Sequence, residues 1–372
     1  MHYYVTLTSN CNLKCKYCYG KCLADRGELR TFEVDYDVPS VITYSTEDLK
    51  NFLEKDGEAA VVFYGGEPTL MPEKIEEIMR EVRVEKFILQ TNGTLLDQLP
   101  EFRLRRFDTI LVSLDGDEAT TDFYRGVGTY RKVVENLKRV LEKGFNGELI
   151  ARMTVGLKTN IYEQVKWLLF NEEFPFKSVH WQLDAQFWSN DFDEERFRRW
   201  MNGYNRQVNR LVMEWVRWME QRGVVYRIYP FVGLVNSMLT GEASKLRCGA
   251  GWIMFNIQQD GRITPCPVMS GIKNFYLGDI WSTDPLSLKD KVHVSDPCPK
   301  CEDYKLCGGR CLYANVTKLW GLKGFKMVCE TVKNLVSSLE TQLPTIKRLL
   351  STGRISAKSL DYPRYNSCEI IP

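Results

Sequence analysis

The sequence predicts an α/β fold in which parallel strands alternate with helices, and two observations support this prediction. Six short, β-rich apolar runs stand between helical patterns in the first half of the chain. From Cys248 onward, cysteine, glycine and proline interrupt short apolar runs, which indicates a second domain organised by metal. The expected division is 1–235 for the α/β domain, 236–350 for the cysteine-rich domain and 351–372 for a peripheral tail.

The six runs have the length and the apolar character of buried strands. They cover residues 3–8, 60–64, 86–91, 108–114, 149–155 and 178–183. Between the fourth and fifth runs, Val133, Leu137, Val140 and Leu141 fall on one predicted helical face, and Gly144 follows at the expected C-cap. Repeating this βαβ unit gives a right-handed barrel or open sheet, whose active site is expected at the carboxyl ends of the strands.

A longer helix is predicted over residues 193–222, where large apolar side chains recur at spacings of three and four. They are Phe197, Trp200, Tyr204, Val208, Leu211, Trp215 and Trp218. This aromatic stripe is compatible with a binding groove for a peptide or cofactor. Ordinary helix patterning favours the other interpretation, in which the stripe packs on the sheet.

Charge and hydropathy exclude two classes of partner. The 50 Lys and Arg balance 48 Asp and Glu, so no net field attracts a nucleic-acid backbone or an anionic membrane. No apolar run is long enough to span a membrane, and the first residues lack the pattern of a secretory signal. We therefore expect a cytoplasmic protein without nucleic-acid or membrane partners.

The 372 residues include twelve cysteines. In a reducing cytosol, clustered cysteines usually bind metal. The three histidines, His2, His180 and His293, are far apart in sequence and offer little material for a histidine-rich zinc site. Metal thiolate chemistry is what this composition favours.

Three of the cysteines, Cys11, Cys15 and Cys18, form a C-x3-C-x2-C pattern directly after the first predicted strand. Three thiolates leave one iron of a 4Fe-4S cluster without a protein ligand, so that iron is free to bind another molecule. Zinc is the alternative, but structural zinc sites prefer four ligands.

The segment SNCNLKCKYCYG around these cysteines resembles the signature of the radical S-adenosylmethionine (SAM) superfamily. Gly65, Gly66, Glu67 and Pro68, after the second strand, resemble the GGEP motif of that family. The resemblance implies a partial (β/α)6 TIM-like barrel in which the open iron binds SAM, and reductive cleavage of SAM gives a 5′-deoxyadenosyl radical. It also implies that the GGEP segment holds the methionyl ammonium and that Tyr17 lies beside the adenine.

Four further residues resemble SAM contacts of this family. Asn92 follows the third strand, and Ser113 and Asp115 follow the fourth, where the family contacts the ribose and the carboxylate of SAM. Arg125 is expected to pair with the SAM carboxylate through a bidentate fork. The alternative is that these residues form turns or surface ion pairs.

The later cysteines resemble the SPASM domain, a small cysteine-rich extension that binds two auxiliary 4Fe-4S clusters in radical SAM enzymes that mature peptides and proteins. The resemblance implies one auxiliary cluster on Cys248, Cys266 and Cys311 and another on Cys298, Cys301, Cys307 and Cys329. Zinc knots are the alternative. Ten thiolates for twelve irons leave two irons open, one for SAM and one on the first auxiliary cluster. The second could bind a substrate thiolate or backbone group, water or another side chain, or be filled by Cys22 or Cys368.

The resemblance implies a peptide-modifying enzyme of the RiPP-maturing kind, which forms a thioether or another crosslink and is sensitive to oxygen. Sulfatase-maturating relatives carry a catalytic Asp after the cysteine that matches Cys266, whereas Pro267 stands here, which makes formylglycine formation less expected. Asp184 is a weak candidate base. Because the chain starts one strand before Cys11, we expect a separate leader-peptide-binding protein, and reduced ferredoxin or flavodoxin as electron donor.

Two other hypotheses stay open at this point. One is radical maturation of a protein or of a small-molecule cofactor by the same chemistry. The other is a non-catalytic protein, either an iron-sulfur electron carrier or a zinc-stabilised binding module, and release of 5′-deoxyadenosine would exclude it.

Overall fold

The computed structural model describes residues 1–18, 32–184, 193–318, 320–362 and 371. The chain packs as two compact units, each assembled from separate stretches of sequence. The first unit contains Met1–Leu114, Glu118–Ile150 and Gly249–His293, and the second contains Asp115–Asp117, Ala151–Cys248 and Val294–Pro372. The domain boundaries expected from the linear sequence, at residues 235 and 350, stay predictions.

The secondary structure alternates strands and helices through the first half of the chain. In chain order the strands are β1 (His2–Thr8), β2 (Ala60–Gly65), β3 (Lys86–Thr91), β4 (Thr109–Ser113), β5 (Glu148–Val155), β6 (Ser178–Leu183), β7 (Arg227–Ile228), β8 (Met254–Ile257), β9 (Arg262–Thr264) and β10 (Gly278–Asp279). The first six strands match the six predicted runs to within one residue at each end. The mixed α/β fold with a parallel sheet is therefore confirmed.

Helices lie between and after these strands. In chain order they are α1 (Thr46–Leu53), α2 (Pro72–Glu81), α3 (Glu101–Leu104), α4 (Glu118–Arg125), α5 (Thr129–Glu142), α6 (Ile161–Phe170), α7 (Glu194–Arg222), α8 (Tyr229–Thr240), α9 (Tyr304–Cys307), α10 (Leu312–Thr317) and α11 (Gly321–Ser351). No helix of the described residues is both long and apolar enough to span a membrane.

The sheet of the first unit has the order β10-β9-β8-β1-β2-β3-β4. β1 lies near its middle and pairs in parallel with β2 on one side and β8 on the other. Tyr3, Val5 and Leu7 on one face of β1 are fully buried and Tyr4 on the other is nearly so, as the nearly continuous apolar run predicts for a strand covered on both faces. β8, β9 and β10 form an antiparallel extension of the sheet.

Helix α5, in the first unit, confirms most of the predicted apolar face and corrects one position. Val133, Leu137 and Val140 are fully buried, but Leu141 is 47% exposed. Leu141 follows Val140 directly, and a step of about 100° per residue carries it out of the buried face. Gly144 adopts the left-handed conformation expected just after a helix end.

In the second unit, β6 pairs in parallel with β7 and α7 packs against α11. α7 begins after Asp193, whose side chain accepts a hydrogen bond from the Arg196 N–H, and ends at Gly223 in the left-handed conformation. Its apolar stripe is buried apart from the half-buried Trp200, which lies between the rings of Phe197 and Tyr204. The stripe is therefore buried by packing, but the helix it belongs to packs mainly on α11 and α6, and its hydrogen bond to the sheet is that of Tyr204 with Trp181 of β6.

Candidate metal and cofactor site

The loop that carries Cys11, Cys15 and Cys18 leaves the carboxyl end of β1 and is tied to the end of β2. The Thr8 carbonyl accepts a hydrogen bond from Gly66 N–H at 2.7 Å, and the Asn10 carbonyl accepts one from Glu67 N–H at 2.9 Å. A Cβ atom on Gly66 would lie 2.3 Å from the Asn10 oxygen, so only glycine allows this approach. The GGEP segment therefore fixes where the cysteine loop starts.

The same loop is tied to the end of β3 by side-chain amides. Asn92 Nδ2 donates to Asn12 Oδ1 at 2.8 Å, and Asn12 Nδ2 donates to Thr94 Oγ1 at 2.8 Å. Thr94 in turn donates through its hydroxyl to Asn92 Oδ1 at 2.6 Å. This closed ring of three side chains positions Asn92, a predicted SAM contact, directly beside the first cysteine.

The three thiols differ in exposure and lie in one short loop. Cys11 is exposed, and Cys15 and Cys18 are half-buried. Cys11 Sγ accepts from the N–H of Leu13 at 3.4 Å and from Asn92 Nδ2 at 3.8 Å. Partial burial raises the pKa of the Cys11 thiol, and the charges of Glu67 and Cys18 raise it further. Three thiols with N–H donors on one sulfur fit a 4Fe-4S cluster that keeps one iron open.

Glu67 has its carboxylate turned into the protein. The side chain is fully buried, and Oε1 accepts from Thr69 Oγ1 at 2.6 Å and from Thr91 Oγ1 at 2.7 Å. Oε2 accepts from Asn92 N–H at 2.6 Å. Burial raises the pKa of Glu67, although these donors oppose the shift. The carboxylate thus joins the ends of β2 and β3, and its contact with the methionyl ammonium stays a prediction.

Two more predicted SAM contacts, Tyr17 and Arg125, lie together in the first unit. The Arg125 guanidinium is 5.3 Å from the centre of the Tyr17 ring, and the Tyr17 ring packs on Tyr124 at 5.3 Å. The Lys16 N–H also donates to the Tyr124 carbonyl at 2.8 Å. The last turn of α4 therefore holds the aromatic residue of the cysteine loop.

The remaining predicted site residues are placed as follows. Ser113 ends β4 in the first unit and is half-buried. Asp115 belongs to the second unit, is fully buried and accepts a hydrogen bond from Thr154 N–H at 2.9 Å. Asp184 follows β6 in the second unit and is 9% exposed. The catalytic role suggested for Asp184 and the SAM contacts suggested for the others stay predictions.

Four later cysteines, Cys298, Cys301, Cys307 and Cys329, belong to the second unit. Burial, with a smaller contribution from the charge of Cys298, raises the pKa of Cys307 to about 12 and that of Cys329 to about 11. The charge of Cys301 likewise raises the pKa values of Cys298 and Cys329. The charge of Cys298 thus acts on Cys307 and Cys329, and the charge of Cys301 acts on Cys298 and Cys329. Their assignment to one cluster stays a prediction.

The surroundings of this second cysteine group include a residue that sequence reasoning missed. Asn315 is fully buried, and its Nδ2 donates to Cys298 Sγ at 3.2 Å. Its Oδ1 accepts from Ser295 N–H at 2.7 Å, which fixes the amide orientation. In the sequence, the only indication of its position is that it stands four residues after Cys311, and a spacing of four is too common to single out a residue.

The other three predicted auxiliary ligands are described within their own units. Cys266 is buried in the first unit, where it precedes a short 3-10 helix that starts at Pro267. Cys248 is buried in the second unit, and Cys311 is half-buried there at the start of α10. Cys22 and Cys368 lie outside the described residues. Their grouping into a cluster stays a prediction.

Within the described ranges, no three His, Cys, Asp or Glu side chains converge on a point that would chelate a single metal ion. A 4Fe-4S cluster places each thiolate on a separate iron, so its ligands surround the cluster without meeting at one point.

Comparison with known proteins adds to this geometry. Residues 5–169 match the model of the radical SAM superfamily. A cysteine-type anaerobic sulfatase-maturating enzyme from Clostridium perfringens is 24% identical over 353 residues, which cover 88% of this chain and 92% of that protein.

Two solved structures share the fold. Native anSMEcpe with bound AdoMet and Cp18Cys peptide has a TM-score of 0.71 at 20% identity, covering 94% of this chain and 99% of that chain. SuiB of Streptococcus suis bound to the precursor peptide SuiA has a TM-score of 0.54 at 19% identity, covering 85% of this chain and 72% of that chain.

The fold, the three-cysteine loop after β1 and these comparisons agree with one another. They support binding of SAM and of the iron-sulfur cluster that cleaves it, and they identify an enzyme with radical chemistry, related to maturases of proteins and peptides. Residues 5–169 of this chain therefore form a radical SAM domain.

Proposed function

We propose that this enzyme modifies a peptide, abstracting a hydrogen atom and forming a thioether or another crosslink, as RiPP maturases do. The observation that carries the proposal is the likeness over 88% of the chain to a cysteine-type sulfatase-maturating enzyme. Support also comes from two peptide-bound structures of the same fold, anSMEcpe with a Cp18Cys peptide and SuiB with the precursor peptide SuiA.

When bound, the cluster and SAM supply an electron and a carbon radical that removes a hydrogen atom from the substrate. In this chain Cys11, Cys15 and Cys18 would hold the cluster, and the ring of Asn12, Asn92 and Thr94 keeps the loop in place. The main chain at Gly65 and Gly66 would accept close approach of the methionyl group.

Arg125 and Tyr17 would serve the two ends of SAM in this proposal. Arg125 offers a bidentate fork for the carboxylate, and Tyr17 offers its ring to the adenine. Packing of both residues against each other preorganises the pair before SAM binds.

The later cysteines would hold two auxiliary clusters, with Cys298, Cys301, Cys307 and Cys329 around one of them. Asn315 would then donate a hydrogen bond to a cluster thiolate. An auxiliary cluster can accept the electron that is left when a substrate radical closes a new bond. The cluster expected on Cys248, Cys266 and Cys311 would have one iron without a thiolate, and that iron would take a substrate group or another ligand.

Formylglycine formation is not the proposed reaction. At the position of the base of sulfatase-maturating relatives stands Pro267, which has no titratable group. Incubation with a cysteine-containing sulfatase peptide is expected to give 5′-deoxyadenosine without an aldehyde. An aldehyde product would instead make this chain a sulfatase-maturating enzyme with a different base.

The proposal is tested with anaerobically reconstituted enzyme, a reductant, SAM and candidate precursor peptides. We expect release of 5′-deoxyadenosine and a peptide lighter by two hydrogen atoms, with reduced ferredoxin or flavodoxin replacing the chemical reductant. The Cys15→Ala variant is the control and should release no 5′-deoxyadenosine. Cleavage of SAM without any change in peptide mass would contradict peptide modification and favour a protein or small-molecule substrate.

A further inference from the structure

Three polar side chains of the second unit, Arg152 on β5 and His180 and Gln182 on β6, share one face of the sheet. Trp181, between the last two, points the other way, where its Nε1 donates to the Tyr204 hydroxyl of α7 at 2.9 Å. Because side chains alternate along a strand, His180 and Gln182 face away from the helix layer. Arg152 Nη2 donates to Gln182 Oε1 at 2.8 Å, which places it on the same face.

Arg152 carries a charge that the described residues do not neutralise. Among the described residues its hydrogen-bond partner is the neutral amide of Gln182, and no described carboxylate lies within ion-pair distance of it. Arg152 is half-buried and its Nε is fully buried without a hydrogen-bond partner. By contrast Arg262, which is similarly shielded, is paired with both Asp35 and Asp260. A half-buried guanidinium without a counter-ion is unfavourable unless a ligand supplies one.

His180 adds a second unsatisfied group beside this charge. Its side chain is fully buried, and neither ring nitrogen has a hydrogen-bond partner among the described residues. Burial, and next the charge of Arg152, hold the pKa of His180 well below its ordinary value, so the ring is neutral. A neutral imidazole does not compensate the arginine. Besides the bond between Arg152 and Gln182, this face thus carries three buried polar atoms without a partner among the described residues, namely Arg152 Nε and both ring nitrogens of His180.

We propose that Arg152, oriented by Gln182 above His180, binds a carboxylate of the peptide substrate, the side chain of an aspartate or glutamate. This rests on the proposed function for the identity of the substrate as a peptide. A planar guanidinium held by one neighbour still offers parallel N–H donors, the geometry that a carboxylate accepts. Arg152 contacts the ligand, and His180 and Gln182 are positioning residues.

The test measures binding, so that it does not depend on turnover. Reconstituted enzyme with SAM is titrated with two pools of fluorescent, randomised short peptides, one with a single fixed glutamate and the other with glutamine at that position. The wild type is expected to bind the glutamate pool about 10- to 100-fold more tightly, as charge-assisted hydrogen bonds do. Arg152→Gln should remove this preference, and Arg152→Lys should keep part of it because a point charge lacks the fork.

Arg210→Gln is the matched control. It removes an arginine from the same unit, at an exposed position on α7 where the guanidinium lies 3.9 Å from the Tyr162 ring, and it should keep the full preference. Circular dichroism checks that each variant folds. If Arg152→Gln does not fold, the peptide preference of Arg152→Lys is compared with that of the wild type to decide the inference.

Equal binding of the two pools by the wild type, or an unaltered preference in a folded Arg152→Gln, overturns the inference whether or not peptides are modified. Binding of SAM is measured in parallel, because SAM also has a carboxylate. If Arg152→Gln weakens SAM binding and leaves the peptide preference intact, the carboxylate at Arg152 belongs to SAM and the inference is wrong. Absence of 5′-deoxyadenosine would refute the proposed function and leave the binding result standing.

Discussion

The buried carboxylate of Glu67 joins two strand ends at the point where SAM is expected to bind. The Glu67→Gln substitution keeps the shape of the side chain but replaces one accepting oxygen by an N–H₂ donor. That donor would face the hydroxyl donors of Thr69 and Thr91 or the N–H of Asn92, and a hydrogen bond would be lost. We expect the free energy of unfolding to fall by about 1–3 kcal/mol, the range for a buried group left unsatisfied. Urea denaturation of the protein under anaerobic conditions measures this change.

A comparison with Thr69→Val separates the two roles of Glu67. This variant removes one hydroxyl donor and keeps the carboxylate, so it should lose about 1 kcal/mol. If Glu67→Gln unfolds at the same urea concentration as the wild type but binds SAM more weakly, the carboxylate acts on SAM directly and not through the strand ends.

Asn315 is the residue from which we expect a spectroscopic effect. Its N–H bond to Cys298 Sγ stabilises the more negatively charged, reduced state of a cluster bound there, since hydrogen bonds to sulfur set cluster potentials. In the reconstituted enzyme, Asn315→Ala should lower the reduction potential of one auxiliary cluster, measured by an EPR-monitored redox titration.

Ser295→Ala is the control for Asn315. It removes the hydroxyl that donates to Asn315 Oδ1 at 3.1 Å but keeps the Ser295 N–H bond and the amide in place. Its auxiliary potentials should stay close to those of the wild type. A potential that is unchanged in Asn315→Ala would mean that Cys298 does not ligate a redox-active cluster.

At the level of elements, the junction between β2 and the cysteine loop tolerates no side chain at Gly66. In Gly66→Ala the new Cβ would meet the Asn10 and Ser9 carbonyl oxygens at 2.3 and 2.5 Å, so the loop has to move. We expect iron content per chain and SAM binding to fall together. Iron analysis and equilibrium dialysis with SAM measure the two.

Gly203→Ala is the matched substitution for Gly66→Ala. Gly203 lies inside α7 with no atom near the position of a Cβ, so alanine should stabilise the helix by about 0.5–1 kcal/mol. The iron content should not change. If Gly66→Ala retains full iron and SAM binding, the close contact with the loop is not required for assembly.

The segment around Asp35 is held on the sheet by one buried carboxylate. Asp35 accepts from Arg262 Nη1 at 2.6 Å and from the Tyr276 hydroxyl at 2.9 Å. Burial pushes the pKa of Asp35 up, but the hydrogen bond from Tyr276, the N–H of Asp37 and the charge of Arg262 outweigh it, so the pKa is lowered. The carboxylate therefore stabilises the folded state above the ordinary carboxyl pKa, and this stabilisation is lost as the pH falls through the lowered value.

We expect Asp35→Asn to cost about 1–2 kcal/mol of unfolding free energy at neutral pH, a range reduced for the partial exposure of Arg262. The difference from the wild type should begin to shrink below about pH 4, where the unfolded chain takes up the proton, and should vanish only below the lowered pKa of folded Asp35. Glu33→Gln is the control, because the exposed pair of Glu33 with Lys273 contributes little. A cost for Asp35→Asn that persists unchanged into acid would contradict the electrostatic explanation.

These elements differ in how far sequence can predict them. The first six strands have long apolar runs and helices between them, and the cysteine spacing is specific, so both could be predicted. β8 and β9 have only four and three residues and bury the polar Asn256 and Thr264, so they lack both the length and the pattern of a strand. Asn315 and Arg152 belong to common residue types, so the sequence does not single them out. What distinguishes Asn315 is its contact with a sulfur atom, and what distinguishes Arg152 is a neutral partner in place of a carboxylate.

On the scale of the whole molecule, iron content and release of 5′-deoxyadenosine together distinguish the two cysteine groups. The wild type should bind about twelve irons per chain, and replacement of Cys298, Cys301, Cys307 and Cys329 by alanine should remove about four. Replacement of Cys11, Cys15 and Cys18 should also remove about four and, in addition, end the release of 5′-deoxyadenosine. Zinc in place of iron in anaerobically purified protein would contradict both expectations.

The pairing of β1 with β8 bears on how the enzyme is made. Residues at the very start of the chain need Met254–Ile257 as a neighbour along one edge of the strand. While the ribosome is still synthesising the intervening segment, that edge presents unpaired N–H and C=O groups, which is the setting in which nascent chains associate wrongly. We therefore expect iron and sulfide to enter the loop after β1 only once β8 has been synthesised. A chain truncated before Met254 should be insoluble.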